Sequence, residues 1–159
     1  MYMVATTLGD EFTFPEPTGQ KPFSVWDDVI VPNMAEIMER DITENKVTQD
    51  ALTSGRAAII SKTRPFSPTM MKAQGQSTKD SIMIEIDGRY YRPSTNVLKQ
   101  LNSLPESFDA EWLPVDKAAQ IIGQSICCKL HHAIMDSVSK HIRRVSNMFK
   151  SGVQMPLFA

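Results

Sequence analysis

Residues 81–92 read SIMIEIDGRYYR and carry the clearest β-structure pattern in the chain. The apolar first half predicts a short strand, and Asp-Gly at 87–88 suits the positive φ angles of a two-residue hairpin turn. RYYR at 89–92 forms the predicted return strand, which Pro93 stops. Because an isolated hairpin is only marginally stable in water, we expect this one to pack on helices or to pair with the N-terminal arm.

Two helices are predicted on the N-terminal side of the hairpin. The first begins at Ser24, whose hydroxyl can cap it, and continues through apolar residues at helical spacing. Pro32 lies inside that pattern, so either the helix kinks there or a helix starts there. The second helix is predicted from Thr48 through Lys62, although Gly55 weakens it.

Helices are also predicted after the hairpin. Ser94 and Thr95 cap a brief one. A long C-terminal helix is predicted over about 114–150, because apolar residues recur there every three or four positions, and Gly123 is the place for a break. A pattern of this length suits a central core helix or pairing with another chain. The sequence thus predicts an α+β fold, mainly helical, with one hairpin packed on helices.

The chain of 159 residues is long enough for one domain with a substantial core. We expect an extended acidic arm over 1–24, a single helical domain with the hairpin over 25–151, and a flexible tail over 152–159. The first residues lack a basic region followed by a long apolar run, and no later stretch is apolar enough to span a membrane. The expected location is therefore cytoplasmic, without a membrane partner.

Charge is unevenly distributed, although the net charge is only −1. Residues 1–50 contain ten acidic and three basic residues, whereas residues 51–110 contain eight basic and five acidic ones. Residues 111–159 contain six basic and three acidic residues. Such a distribution is compatible with an anionic partner on one side of the molecule, and equally with chance asymmetry on a mixed surface.

Cysteine and histidine occur together at one place. Cys127 and Cys128 are each followed by a histidine four positions later, at His131 and His132. Each pair shares a helix face, but the two pairs point about 100° apart and cannot close on one ion. No phosphate-binding loop or hydrolase motif is present, and no third residue completes a Cys–His nucleophile. We therefore expect no metal site, no cofactor and no enzymatic activity.

The segment from Arg56 to Lys79 contains five basic residues and no acidic one. Two helices followed by a hairpin with arginines and tyrosines match the outline of a winged helix-turn-helix. The cations would neutralise phosphates and the tyrosines would stack on unpaired bases, while a solvated basic face is the alternative. The candidate nucleic-acid-binding residues are Arg56, Lys62, Arg64, Lys72, Lys79, Arg89, Tyr90 and Arg92.

Residues 154–159 read QMPLFA. A frayed terminus cannot bury Leu157 and Phe158 against its own core, which indicates a partner. The spacing of Gln154, Met155, Leu157 and Phe158 resembles the bacterial sliding-clamp-binding peptide, which runs Gln, Leu or Met, a variable residue, Leu, Phe. A match of this kind arises by chance in well under ~1% of chains of this length. The resemblance implies a bacterial DNA polymerase sliding clamp as partner and these four residues as its contacts.

The function expected from this resemblance is an accessory or regulatory protein of bacterial, phage or plasmid DNA replication or repair that docks on the sliding clamp. It would either recruit another activity to DNA or block the polymerase's site. Two other classes stay open. One is a DNA- or RNA-binding regulator that uses the basic surface, and the other is an oligomeric structural or viral assembly protein whose C-terminal helix pairs with another copy.

Overall fold

A computed structural model of the chain gives an α+β fold that is mainly helical, as the sequence predicted. The chain divides into two compact units, Lys21–Cys127 and a second unit made of Met1–Gln20 with Cys128–Ala159. At position 149 the structure describes the backbone alone. The described residues are 4, 11–16, 24–64, 66–72, 74, 78–110 and 112–151.

Helix α1 consists of three consecutive segments with different winding. They are a π-helical turn at Trp26–Ile30, a 3-10 turn at Val31–Asn33 and an α-helical turn at Met34–Met38. Pro32 has no N–H to donate, and the helix passes this residue by changing its winding instead of stopping. Of the two interpretations of the sequence, the helix that continues through Pro32 is the one observed.

Ser24 caps α1, as predicted. Its Oγ accepts a hydrogen bond from the backbone N–H of Asp27 at 3.2 Å, and its own N–H donates to Asp28 Oδ2 at 2.9 Å. This reciprocal arrangement satisfies two of the N–H groups that the start of a helix leaves without partners. Asp27 and Asp28 also place negative charge at the positive end of the helix dipole.

Helix α2 is shorter than the sequence predicted. It spans Lys46–Thr53, so the expected extension to Lys62 is wrong. Gly55, with a φ of +67°, takes the left-handed conformation that ends helices, and Ala58–Ile60 forms strand β1 instead. Two β-branched isoleucines suit a strand, but their partner lies far away in the sequence, which the local pattern does not reveal.

Three strands form one sheet in the order β1, β2, β3. Strand β2 spans Ile82–Ile86 and strand β3 spans Arg89–Tyr91. Asp87 and Gly88 connect them with positive φ angles of 50° and 78°, so the predicted hairpin and its turn are confirmed. Strand β1 pairs with β2 in parallel orientation, which makes β2 the central strand.

The segment 41–43 covers the outer edge of β3. The backbone N–H of Ile42 donates to Tyr90 O at 2.9 Å, and the backbone N–H of Tyr90 donates to Thr43 Oγ1 at 2.9 Å. Each strand of the hairpin therefore has a further partner on its outer side. This pairing supplies the support that a hairpin cannot provide alone.

One hydrophobic cluster joins the sheet to the helices of unit 21–127. Ile30 and Ile37 of α1 are fully buried in it, together with Ile60 of β1 and Ile84 of β2. Tyr91 of β3 is also buried there. The expectation that the hairpin packs on helices is thus confirmed.

Helices α3 and α4 pack through a second cluster. Helix α3 spans Thr95–Leu101 and helix α4 spans Val115–Gln124. Leu98 of the first helix meets Ala119 and Ile122 of the second, and all three side chains are buried. The predicted short helix after the hairpin is confirmed. Ser94 caps it, because its Oγ accepts a hydrogen bond from the backbone N–H of Val97 at 3.1 Å.

The predicted helical segment 114–150 is present as two helices, α4 and α5, with α5 spanning Cys128–Lys150. The interruption at 125–127 follows Gly123, where the sequence placed a break. Ser125 Oγ donates to Ile122 O at 2.6 Å, and Asn102 Nδ2 donates to the same oxygen at 2.7 Å. Both side chains therefore donate to a carbonyl oxygen that would accept a backbone N–H if the helix continued.

Gly123 itself lies within α4 and does not end it. A β-carbon at this position would collide with the backbone carbonyl of Met71 and would lie 3.3 Å from the Cα atom of Lys72. The glycine therefore permits close approach between α4 and the segment that connects β1 to β2. This packing role differs from the helix-breaking role that its place in the pattern suggested.

The second unit contains the arm and α5. Ile134, His141 and Val145 are buried and lie seven and four positions apart, on one face of α5. The ring of Phe12 meets the His141 ring edge-on at 5.6 Å, and Arg144 Nη2 donates to Glu11 O at 2.7 Å. These two contacts hold the described part of the arm, 11–16, against α5. None of the helices that the structure describes is long and apolar enough to cross a membrane.

Candidate functional site

The predicted clamp-binding residues Gln154, Met155, Leu157 and Phe158 lie outside the described residues. Helix α5 ends at Lys150, and the described chain ends one residue later. At this end, the Ser151 N–H donates to the Asn147 carbonyl oxygen at 3.0 Å. The assignment of the four residues to a partner therefore stays a prediction from the sequence.

The parallel pairing of β1 and β2 determines the surroundings of two predicted nucleic-acid-binding residues. Arg56 and Asp80 each lie two residues before their strands, which run side by side. Arg56 Nη2 accordingly lies 2.8 Å from Asp80 Oδ1, and Lys79 Nζ lies 3.7 Å from Asp50 Oδ2. Both bases are thus paired with carboxylates on an exposed surface, where such pairs contribute about 0–1 kcal/mol.

The predicted residues of the hairpin have separate environments. Arg89 Nη2 lies 2.7 Å from Asp41 Oδ2 on the covered edge of β3. Tyr90 is half-buried beside the same segment, whereas Tyr91 is buried in the core, as the alternation along a strand requires. Arg92 lines a cleft, and none of the other seven predicted residues is among the described residues lining that cleft.

Three of the eight predicted residues keep the properties that nucleic-acid contact requires. Lys62, Arg64 and Lys72 are exposed, and none of them forms an ion pair with any described residue. Lys62 and Arg64 lie in and after the turn that follows β1, where Ser61 and Arg64 exchange backbone hydrogen bonds. The set of exposed bases without an ion-pair partner in the described part of the chain is therefore smaller than the sequence suggested.

The Asp41 carboxylate makes the hairpin edge sensitive to pH. Hydrogen bonds from Thr43, through its side chain and its backbone N–H, lower the pKa of Asp41 below the ordinary value of 3.8, and the charge of Arg89 adds to this effect. A carboxylate with a lowered folded-state pKa stabilises the protein above its unfolded-state pKa. That contribution is lost as the pH falls through the folded-state pKa.

We expect Asp41→Asn to flatten the acid side of the stability curve, because the amide carries no charge that acid can remove. The measurement is the free energy of unfolding by urea, taken between about pH 2 and pH 6 for the wild type and the variant. Glu44→Gln serves as the control, since Glu44 is exposed and forms no ion pair within the described part of the chain. An Asp41→Asn curve parallel to the wild-type curve would contradict this assignment.

The cysteine and histidine residues do not form a metal site that the structure describes. Cys127 and Cys128 are free thiols. The described residues contain no group of three or more histidine, cysteine, aspartate or glutamate side chains placed to hold a metal ion. Cys127 Sγ instead lies 3.8 Å from Ser103 Oγ, within its own unit.

A cleft in unit 21–127, which we call the arginine cleft, was not anticipated from the sequence. Its volume is ≈ 270 Å³. It lies beside the 40–42 segment, the residues after β3, helix α3 and helix α4. Its lining includes the charged residues Arg40, Asp41 and Arg92, the amide of Gln74, and apolar residues of α3 and α4.

Backbone pairing brings the two arginines of this cleft together. Asp41 forms an antiparallel bridge with Tyr91, and the Arg92 N–H donates to Arg40 O at 3.0 Å. Arg40 and Arg92 are separated by more than fifty positions in the sequence. No local pattern could have indicated that they are neighbours, because their proximity depends on a long-range strand pairing.

A second cleft, of ≈ 280 Å³, lies within the unit formed by the arm and α5. His141, Lys140 and Arg144 contribute basic side chains to its lining. Arg144 Nη2 lies 3.3 Å from His141 Nδ1, and because a guanidinium only donates, Nδ1 is the acceptor and the proton of a neutral ring lies on Nε2. His141 Nε2 is buried without a hydrogen-bond partner among the described residues.

Comparison with known proteins gives no relative from which a function could be transferred. No protein-family model, no curated protein and no solved structure matches the chain.

Proposed function

We propose that this chain is an accessory or regulatory protein of bacterial DNA replication or repair that docks on the sliding clamp through Gln154, Met155, Leu157 and Phe158. The observation that supports the proposal is the order and spacing of these four residues in the sequence QMPLF. No relative and no described contact bears on this assignment, so the proposal depends on the peptide alone.

The chemistry of the peptide suits recognition by a preformed pocket. Gln154 offers an amide for a hydrogen-bonded slot, and Leu157 and Phe158 offer large apolar side chains for a hydrophobic pocket. Pro156 restricts the backbone at the variable position and lowers the entropy lost on binding. A short peptide of this kind should bind with a Kd on the order of micromolar, and a ring with several pockets strengthens attachment through avidity.

We expect a fluorescently labelled peptide of residues 151–159 to bind a bacterial sliding clamp in a polarisation titration. The double substitution Leu157→Ala/Phe158→Ala should weaken binding at least about tenfold, because it removes both apolar anchors. A peptide with the same composition in scrambled order is the matched control and should not bind. Absence of binding by both the peptide and the full-length chain would reject clamp docking.

Deletion of residues 154–159 separates clamp docking from the other two functional classes. Clamp docking predicts that the truncated chain loses clamp binding but keeps its oligomeric state and its retention on DNA. A change from oligomer to monomer would favour the structural assembly protein, in which the C-terminal region pairs with another copy. Salt-dependent retention on DNA that survives the deletion, in a chain that never binds the clamp, would favour the nucleic-acid-binding regulator and its exposed residues Lys62, Arg64 and Lys72.

A further inference from the structure

The connection between β1 and β2 presents an aromatic side chain beside exposed bases. Phe66 is 67% exposed, although phenylalanine is among the residue types most often buried. Lys62 and Arg64 precede it within four positions and are exposed, without an ion-pair partner in the described part of the chain. We propose that these three residues, which we call the basic turn, bind single-stranded nucleic acid through one stacked base and its neighbouring phosphates. All three belong to the β1–β2 connection, so the proposal does not depend on clamp docking.

The basic turn has a fixed base. The Arg64 N–H donates to Ser61 O at 3.0 Å, the Ser61 N–H donates to Arg64 O at 3.4 Å, and Ser61 is buried. Lys62 and Thr63 are therefore the exposed central residues of a tight turn. Phe66 follows Arg64 by two positions, so their Cα atoms are at most about 7 Å apart. The backbone thus holds the cations and the aromatic ring close together.

The chain beyond the exposed phenylalanine is attached to the core as well. Met70 packs against both hydrophobic clusters, and its Sδ accepts from Asn102 Nδ2 at 3.7 Å. Gln74 Oε1 accepts from the Ile82 N–H at 2.9 Å. Phe66 therefore lies between two attached segments, and its exposure is not that of a frayed chain end. Groups on an attached segment lose less entropy on binding than groups on a free one.

The sequence around the basic turn is positively charged. Residues 61–79 contain four basic residues and no acidic one. The nearest acidic residues along the chain are Asp50 and Asp80, which form ion pairs with Lys79 and Arg56 respectively. Neither carboxylate is paired with the basic turn, whose cations therefore attract phosphates.

The chemistry of the basic turn favours a single strand over a duplex or a membrane. An exposed ring stacks on an unpaired base, and the guanidinium of Arg64 is a second planar group that stacks on bases. In a duplex the bases are already stacked on one another. A membrane surface fits less well, because the central residues of the turn, Lys62 and Thr63, are polar and offer no apolar tip to insert.

The test measures the fluorescence anisotropy of a labelled oligothymidylate of about twelve nucleotides with the full-length chain, between about 50 and 200 mM salt. We expect a Kd of about 10⁻⁶–10⁻⁴ M. The slope of log K against log salt concentration should be about −1.4, because two phosphates of a single strand are neutralised. Binding to phosphatidylserine vesicles without binding to the oligonucleotide would identify a lipid surface and reject the proposal.

Two double variants connect the salt dependence to the basic turn. Lys62→Gln/Arg64→Gln should bring the slope close to zero. Lys46→Gln/Arg143→Gln is the matched control, because it removes one lysine and one arginine that are exposed elsewhere and should leave the slope unchanged. Circular dichroism verifies that each variant is folded. A wild-type slope in the first variant would refute the proposal.

The stacking role of Phe66 has a test of its own. Phe66→Ala should weaken binding of the oligothymidylate at least about fivefold, the lower limit for loss of one stacked base, and should leave binding of an abasic strand of the same length unchanged. Trp112→Ala is the control, since Trp112 is exposed outside the turn and its loss should change neither affinity. Equal weakening for both strands would contradict stacking, and a duplex bound as tightly as the single strand would contradict the preference for unpaired bases.

Discussion

Replacement of Ile122 by alanine should lower the free energy of unfolding by about 2–5 kcal/mol, the range observed for large-to-small changes in a core. The Ile122 side chain is 0% exposed and packs with Leu98 and Ala119 in the cluster that joins α3 to α4. Alanine would remove three carbon atoms and leave a cavity in this cluster, against which Met70, Leu104 and Phe108 also pack. The loss therefore combines a transfer term with a cavity term.

The neighbouring residue supplies a matched control for this prediction. Ile121 is 44% exposed on the same helix, so Ile121→Ala removes the same atoms from a largely hydrated position. We expect that change to cost less than about 1 kcal/mol. Urea unfolding with an unchanged m-value would measure both effects. Equal destabilisation by the two substitutions would mean that the orientation of α4 differs from the one described.

Gly123→Ala should also destabilise the protein, although alanine is the better helix former. In an exposed helix this change gains about 1 kcal/mol through propensity. Here the new β-carbon would collide with the Met71 carbonyl, which is backbone and cannot move aside like a flexible side chain. Overpacking of this kind costs about 1–3 kcal/mol, or more where backbone must shift, so the steric term should prevail.

Thermal and urea unfolding of Gly123→Ala will decide between these opposing terms. Gln124→Ala is the control, because Gln124 is the last residue of the same helix and is exposed. Its replacement should change stability by no more than about 0.5 kcal/mol. Stabilisation by Gly123→Ala would show that α4 does not approach the Met71–Lys72 backbone closely.

Local chemistry explains which elements could be predicted from the sequence. The hairpin turn requires only that residues 87 and 88 tolerate positive φ, and Asp-Gly provides that property within two positions. Ser24 and Ser94 likewise act on N–H groups three positions away. Such interactions depend on neighbours in the sequence, so a pattern of a few residues is sufficient.

The missed features depend on contacts between distant positions. Residues 58–60 form a strand because they pair with residues 82–84, and this pairing also places Arg56 against Asp80. The arginine cleft depends on the bridge between Asp41 and Tyr91. A linear count of charges cannot show that Arg56 forms an ion pair with Asp80, or that Arg92 lines a cleft.

The second unit is made of two segments that are distant in the sequence, and this affects the order of folding during protein synthesis. Glu11 and Arg144, which a hydrogen bond joins, are 133 positions apart. At about 5–20 residues per second, the ribosome needs roughly 7–27 s to synthesise the chain between them. Unit Lys21–Cys127 is continuous in sequence and can complete its folding within that interval.

The arm, in contrast, is synthesised before Lys21–Cys127 but shares its unit with a helix that is synthesised after it. Until α5 has been synthesised, Phe12 lacks the His141 ring against which it packs in the finished protein. The rate of translation between the arm and α5 therefore determines how long Phe12 remains without this contact.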